Sequence, residues 1–194
     1  MSAPHIGIIA LQGAAAPHRR ILEELGAIVT DVRAPGTVGG LDGLDGIVMP
    51  GGESTTMGML LQSSGLMEPL VDLIDDEAPV LATCAGLILL SSEVAGGRSD
   101  QVPLKRLDIA IRRNAFGRQN ESFEAPVTLT GDDLPFPALF IRAPSIESVG
   151  PDVKVLGTFD GSPALVRQGS IVATTFHPEL SNDDRVHRMF LGGH

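Results

Sequence analysis

Between Ile6 and Leu90 the chain alternates short, uniformly apolar runs with stretches of helical periodicity. Runs such as Ile6-Gly7-Ile8-Ile9-Ala10 and Gly46-Ile47-Val48-Met49 show no polar alternation, so both faces of each strand must be covered. Strand and helix in repeated succession is the pattern of βαβ units. It predicts a three-layer α/β sandwich with a mostly parallel central sheet. Strands are expected at 6–10, 27–32, 46–49 and 79–83, and helices at 17–25, 55–62, 66–76 and 85–92. In the first helix Ile21, Leu22 and Leu25 share a face ahead of the stop at Gly26. The Gly- and Asp-rich segment from Gly36 to Gly46 reads as a loop.

Beyond Gly96-Gly97 the pattern changes to runs at 107–112, 122–129, 139–142, 153–159, 164–168 and 170–176, read as added or antiparallel strands. Arg167-Gln168-Gly169-Ser170 reads as a tight turn between the last two. Ser181 is the expected cap of a final short helix ending at Phe190.

A chain of 194 residues is long enough to close one core, so a single domain over 1–194 is expected. Fourteen Lys and Arg against 24 Asp and Glu give a net charge of −10, which disfavours nucleic acid or an anionic membrane as the main partner. The single cysteine, Cys84, excludes an internal disulfide and a multi-thiolate zinc site, and no metal is expected. No apolar run approaches the roughly 20 residues of a membrane span, and the first residues lack a basic leader, so a cytoplasmic protein is expected. With no Trp, no Tyr and seven Phe, stacking platforms are scarce, and a small polar substrate fits better than a nucleic acid or sugar chain.

Three segments carry candidate chemistry. In Val80-Leu81-Ala82-Thr83-Cys84-Ala85-Gly86-Leu87 an apolar strand meets a cysteine, two small residues and an apolar helix. This is the thiol form of a nucleophile elbow, whose sharp turn needs small neighbours and whose helix N-terminus favours a thiolate. Read alone, a cysteine between apolar runs is more often buried filler. The second segment, Phe176-His177-Pro178-Glu179, follows an apolar strand. Residues two apart in an extended stretch share a face, so Glu179 can orient the imidazole of His177, the base and orienter of a Cys or Ser hydrolase. The bland alternative is a His that closes a turn before proline. The third, Pro50-Gly51-Gly52-Glu53-Ser54-Thr55-Thr56, passes from a strand end into a helix and lacks the Lys of a phosphate-binding loop. Its glycines permit close approach to a ligand and its N–H groups suit a carboxylate or an oxyanion, although a plain turn with a Ser or Thr cap reads equally well.

Together these segments resemble the three signatures of class I glutamine amidotransferases, whose fold is a flavodoxin-like sandwich. Leu11-Gln12-Gly13, the run from Arg113 to Gln119, Ser122-Phe123-Glu124 and Phe140-Ile141-Arg142-Ala143-Pro144 further resemble the glutaminase subunits of pyridoxal 5′-phosphate synthases. The resemblance extends from about Ile6 to Phe190. It implies hydrolysis of L-glutamine to L-glutamate and ammonia, with no cofactor in the glutaminase and with ammonia passed to a barrel-shaped synthase subunit. Carried over by position, it implies Cys84 as nucleophile, His177 as general base and acid, and Glu179 as the orienting carboxylate. Gly52, Glu53, Ser54, Arg113, Ile141 and Arg142 fall at glutamine-binding positions, where Arg can grip a carboxylate in bidentate fashion.

The N–H of Ala85 and one from Gly51 or Gly52 are the expected oxyanion donors. Glycine permits the Gly51-Gly52 peptide to turn its carbonyl inward, which would make partner docking the switch that flips it. Two departures stand out: Pro17 precedes His18 where the family usually has Glu, which bears on partner contacts, and Ala82 stands where Gly is common. A stress-related thiol protein with the same elbow, or a non-catalytic module retaining the pocket, are the competing readings.

Overall fold

The computed structural model describes residues 2–35, 41–96, 103–113 and 122–192. Strands β1 (His5–Ile9), β2 (Ile28–Val32), β3 (Gly46–Met49) and β4 (Val80–Thr83) alternate with helices α1 (Ala15–Glu24), α2 (Ser54–Ser63), α3 (Met67–Asp75) and α4 (Ala85–Leu90). The rest is mostly strand: β5 (Ser91–Ala95), β6 (Leu107–Arg112), β7 (Ser122–Leu129), β8 (Phe136–Ile141), β9 (Ser145–Val149), β10 (Lys154–Phe159), β11 (Ser162–Gln168) and β12 (Ile171–Thr174). A 3-10 turn at Pro178–Leu180 and helix α5 (Arg185–Phe190) close the chain.

Nine strands form one sheet in the order β2-β1-β3-β4-β12-β11-β10-β7-β8. From β2 to β12 the neighbours are parallel, and from β12 to β8 they are antiparallel. A second, three-stranded sheet has the order β5-β6-β9.

The period-2 alternation of strand side chains divides the core between the two faces of the large sheet. Ile6, Ile8, Val48, Leu81 and Val172 point to one side and pack with Leu22 of α1, Val186 and Phe190 of α5, and Phe136, Phe140 and Phe176. Ile9, Ile47, Met49, Val80, Ala82 and Ala173 point to the other and pack with Met57 and Leu61 of α2, Leu70 and Ile74 of α3, and the α4 chain. Helices therefore cover both faces of the parallel half, as its unbroken apolar runs require. Among the described residues no helix is long and apolar enough to cross a membrane.

Several local expectations are revised. The helix expected to reach residue 92 ends at Leu90, and Ser91 to Ala95 become β5 beside β6. Strand β8 begins at Phe136, earlier than read, and β9 had no counterpart in the sequence reading. Ser181 does not cap the last helix: its Oγ accepts from the Asp183 N–H, Asp183 accepts in turn from the Arg185 N–H, and Asp184 is the N-cap residue. Residues 36–40 of the expected loop, 114–119 of the Arg113 to Gln119 run, and Gly97 lie outside the described residues.

Candidate active site

Because β1, β3, β4 and β12 are parallel neighbours in register, all four release the chain at the same carboxyl edge. Leu11-Gln12-Gly13 follows β1, Pro50-Gly51-Gly52 follows β3, Cys84 follows β4, and His177 lies three residues past β12. Four segments far apart in sequence are thus delivered to one place.

Cys84 sits between β4 and α4 with φ 46° and ψ −94°, a left-handed conformation that costs a non-glycine residue roughly 1–3 kcal/mol. The turn is held from both sides: the Cys84 N–H donates to Thr174 O at 2.9 Å, and its carbonyl accepts the first α4 bond from the Ile88 N–H at 3.1 Å. Gly86 is required by packing, since a Cβ there would lie 2.3 Å from the Met49 carbonyl oxygen. The result is a strained elbow that leaves Cys84 5% exposed in the wall of a cleft, not sealed in the core. Its Sγ also approaches the Ile141 carbonyl at 3.8 Å.

His177 is fixed by its own N–H, which donates to Leu139 O of β8 at 2.8 Å, and by Pro178, which opens the 3-10 turn. That turn, not an extended segment, brings Glu179 beside it, with Glu179 Oε1 2.7 Å from His177 Nδ1. Cys84 shares the wall of one cleft with this ring and acts on its charge. Burial pulls the His177 pKa down, but the hydrogen bonds and charges of Cys84 and Glu179 outweigh it and raise the pKa to about 10. Glu179 is fully buried. Burial raises its pKa, and the facing His18 and the His177 hydrogen bond more than offset this, so the carboxyl is held below its ordinary range.

Sequence reasoning did not bring His18 and His187 to this site. Both are fully buried, His18 on α1 and His187 on α5. His18 Nε2 lies 3.3 Å from Glu179 Oε2 and its Nδ1 lies 3.0 Å from His187 Nε2. Neither has an acidic residue at i+2, a local signal that marked His177, and the contacts of His18 with Glu179 and His187 arise across elements.

A cleft of about 170 Å³ is lined by Gly52, Glu53, Ser54, Cys84, Ile88, Arg113, Ile141, Arg142 and His177. All six expected glutamine positions are in that lining. The size is below the roughly 300 Å³ at which drug-sized ligands begin, and suits a molecule such as a single amino acid. Glu53 is the N-cap of α2: its carboxylate accepts from the Thr55 and Thr56 N–H groups at 3.2 and 2.7 Å and from Thr56 Oγ1 at 2.8 Å. Burial raises its pKa, and the Thr56 and Thr55 hydrogen bonds more than reverse this, to about 2. The cap expected from Ser or Thr is therefore Glu53 itself. Arg113 Nη2 donates to the same carboxylate at 3.2 Å. Arg142 is exposed, has φ 43°, and makes no ion pair with the described residues.

Gly51 packs against the imidazole, since a Cβ there would lie 2.3 Å from His177 Cε1. Its carbonyl accepts from the Ala14 N–H at 3.1 Å, and the Glu53 N–H donates to Gln12 Oε1 at 2.9 Å. The Gly51 carbonyl is therefore engaged with the β1-α1 loop, and a trans peptide aims the Gly52 N–H the opposite way. Ala85 is the first residue of α4, at the helix N-terminus beside the sulfur. Among the described residues no group of three or more His, Cys, Asp or Glu side chains is arranged to hold a metal.

Comparison with known proteins agrees with this arrangement. Residues 8–193 match the SNO glutamine amidotransferase family. Pyridoxal 5′-phosphate synthase subunit PdxT of Corynebacterium jeikeium is 51% identical over 187 residues, covering 96% of this chain and 94% of that protein. The protein of the same name from Deinococcus radiodurans is 50% identical over 190 residues, covering 96% and 95%. A solved glutamine amidotransferase superposes with a TM-score of 0.88 at 40% identity, covering 96% of this chain and 97% of that one. The fold alone is shared with a putative GMP synthase component of Thermoplasma acidophilum, at a TM-score of 0.71 and 21% identity, covering 99% of this chain and 94% of that one. With an elbow cysteine, a His-Glu pair and an amino-acid-sized cleft on one sheet edge, and with these relatives along nearly its whole length, the chain belongs to the SNO glutamine amidotransferase family.

Proposed function

We propose that this chain, as one domain over residues 1–194, hydrolyses L-glutamine to L-glutamate and ammonia and delivers the ammonia to a barrel-shaped synthase subunit that makes pyridoxal 5′-phosphate, in the cytoplasm. The observation that carries the reading is Cys84 on a strained elbow, in the wall of the same cleft as His177, whose Nδ1 is 2.7 Å from buried Glu179. In this reading His177 takes the thiol proton and the sulfur attacks the side-chain amide carbon of glutamine. The oxyanion that forms is met by the N–H groups of Ala85 and of Gly52 or Gly51. Collapse breaks the C–N bond as His177 returns the proton to the leaving nitrogen, releasing ammonia and leaving a thioester. His177 then takes a proton from water, the hydroxide attacks the thioester, and glutamate departs as the sulfur regains its proton.

The pKa of His177, raised to about 10, favours the ring once it holds the proton taken from the thiol, keeping that proton ready for the leaving nitrogen. Arg113 and Arg142 hold the substrate carboxylate, while Gly52, Glu53, Ser54 and Ile141 line the rest of the cleft. The relatives' name, a subunit of a pyridoxal 5′-phosphate synthase, is what supports the choice of partner.

The test is glutamate and ammonia release on mixing glutamine, the chain and the synthase subunit. Cys84→Ala is expected to abolish it, and turnover that survived would reject the triad. Comparing rates with and without the partner reads the switch at Gly51-Gly52: a higher rate with partner supports it, equal rates reject it.

A further inference from the structure

Behind the Cys84-His177-Glu179 line lies a buried side-chain cluster that the reaction as described does not use. His18, His187 and Thr83 are all fully buried, and Glu179 Oε2 is a buried carboxylate oxygen that makes no well-directed hydrogen bond. His18 Nε2 lies 3.3 Å from it and 3.4 Å from Thr83 Oγ1. A carboxylate can only accept, so a neutral His18 that serves it carries its proton on Nε2, between Glu179 and Thr83. A neutral ring then has a bare Nδ1, which accepts from His187 Nε2 at 3.0 Å. That leaves the His187 Nδ1 lone pair at the end of the chain, and this atom has no hydrogen-bond partner among the described residues. This assignment accommodates the His18–His187 and His18–Thr83 hydrogen bonds and turns a donor toward Glu179 Oε2. Burial lowers the pKa of both rings, in line with neutral imidazoles.

We propose that His18 is a positioning residue for the glutaminase reaction: its neutral ring, held as the Nε2–H tautomer by His187, donates to the Glu179 oxygen that His177 leaves free. Glu179 would otherwise present one anionic oxygen to a dry interior, where an unpaired charge is costly and free to rotate toward any donor. With His18 behind and His177 in front, both oxygens are directed and the plane of the carboxylate is fixed. The ring of His177 inherits that orientation through its 2.7 Å bond. The anchor comes from α1, whose preceding loop also holds the Gly51 carbonyl through Ala14 and the Glu53 N–H through Gln12. One segment thus supports both the base and the loop facing it.

This inference rests on the triad reading above, and its test separates the two. In a long-range 1H–15N spectrum of the whole labelled chain, His18 is expected as a neutral ring protonated at Nε2 alone. An Nδ1–H tautomer or an imidazolium would overturn the proposal, whatever the variants do. In steady-state assays with the synthase subunit present, His18→Leu is expected to lower kcat roughly 10- to 100-fold with KM for glutamine within about twofold. His18→Gln, whose amide nitrogen can take the place of Nε2, is expected to stay within about threefold of the parent. A parent-like kcat in His18→Leu, or equal losses in the two variants, refutes positioning while leaving the triad standing if Cys84→Ala is inactive. Activity in Cys84→Ala removes both.

Discussion

His177 Nδ1 and Glu179 Oε1 stand 2.7 Å apart although only a proline separates the two residues in sequence. A 3-10 turn folds the acid back under the ring and buries it completely. A carboxylate only accepts, so Nδ1 carries a proton and the catalytic proton transfers fall to the other ring nitrogen. Glu179→Gln keeps the shape and removes the charge, and its amide can present an N–H where the ring needs an acceptor. The expected result is a fall in kcat of about 10³-fold or more, by analogy with carboxamide substitution in serine-protease triads, with KM for glutamine little changed. Steady-state kinetics with the synthase subunit measure both, and a loss confined to KM would argue against the orienting role.

Gly86 is a prediction about shape alone. A methyl group at this position meets the Met49 carbonyl oxygen at 2.3 Å, and that atom belongs to β3 in the middle of the parallel sheet. It cannot move without disturbing the register of β3 with β4. Gly86→Ala is therefore expected to lose about 1–3 kcal/mol of stability. It should also shift the elbow, lowering activity beyond what the unfolded fraction explains. Urea unfolding midpoints beside specific activity check both, and unchanged values would mean that α4 moves freely on β3.

How much of this was legible beforehand follows from range. The uniformly apolar runs at β1, β3 and β4 can only be buried strands, so the layered sheet and its shared carboxyl edge were readable, and with them the meeting of Gly52, Cys84 and His177. Strand β9 was not: Ser145-Ile146-Glu147-Ser148-Val149 gains its pairing from β6, more than thirty residues away in sequence. Pairing partners, not local propensity, made it a strand. Glu53 as a helix cap was missed because Ser54 and Thr55 are stronger capping types, and only the backbone geometry decides which residue occupies the N-cap. His18 and His187, 169 positions apart, carry no mutual signal in one sequence.

Arg113 and Arg142 line the same cleft but differ in what already holds them. Arg113 is mostly buried, with Nη2 on Glu53 and Nη1 3.4 Å from Thr55 Oγ1. Arg142 stands exposed at the cleft wall in a left-handed conformation. Removing Arg142 therefore takes away substrate contacts with little structural consequence, whereas removing Arg113 also loosens the α2 cap. Arg142→Ala is expected to raise KM for glutamine roughly 10- to 100-fold at nearly constant kcat, the loss of a charge-assisted bidentate contact. Arg113→Ala is expected to lower kcat as well. A KM unaffected by Arg142→Ala would return that residue to the ordinary surface.

The buried imidazoles give the protein an acid-side weakness whose sign is fixed by burial. His187 is pulled down from 6.5 to about 3, by desolvation first and by the neighbouring His18 second, against the pull of Glu179 and Asp184. Between pH 6.5 and 3 the unfolded chain binds a proton at this residue and the folded chain does not. Its contribution to stability is thus complete above pH 6.5 and is lost as the pH falls, at about 1.4 kcal/mol per pH unit. His18 acts in the same direction. His177 has the opposite sign: raised to about 10, its contribution is complete below 6.5 and lost as the pH climbs toward 10. Carboxylates held low, such as Glu53 at about 2, add acid sensitivity only where unfolded carboxyls take up protons, below about pH 4.5. The window from about pH 5 to 6 therefore isolates the imidazoles. His187→Gln can retain the donor to His18 Nδ1 while removing the titration, and it is expected to reduce the slope of unfolding free energy in that window by about 1.4 kcal/mol per pH unit. Urea unfolding at several pH values measures the slope. An identical slope in parent and variant would mean that His187 carries the same charge in the folded and unfolded chain.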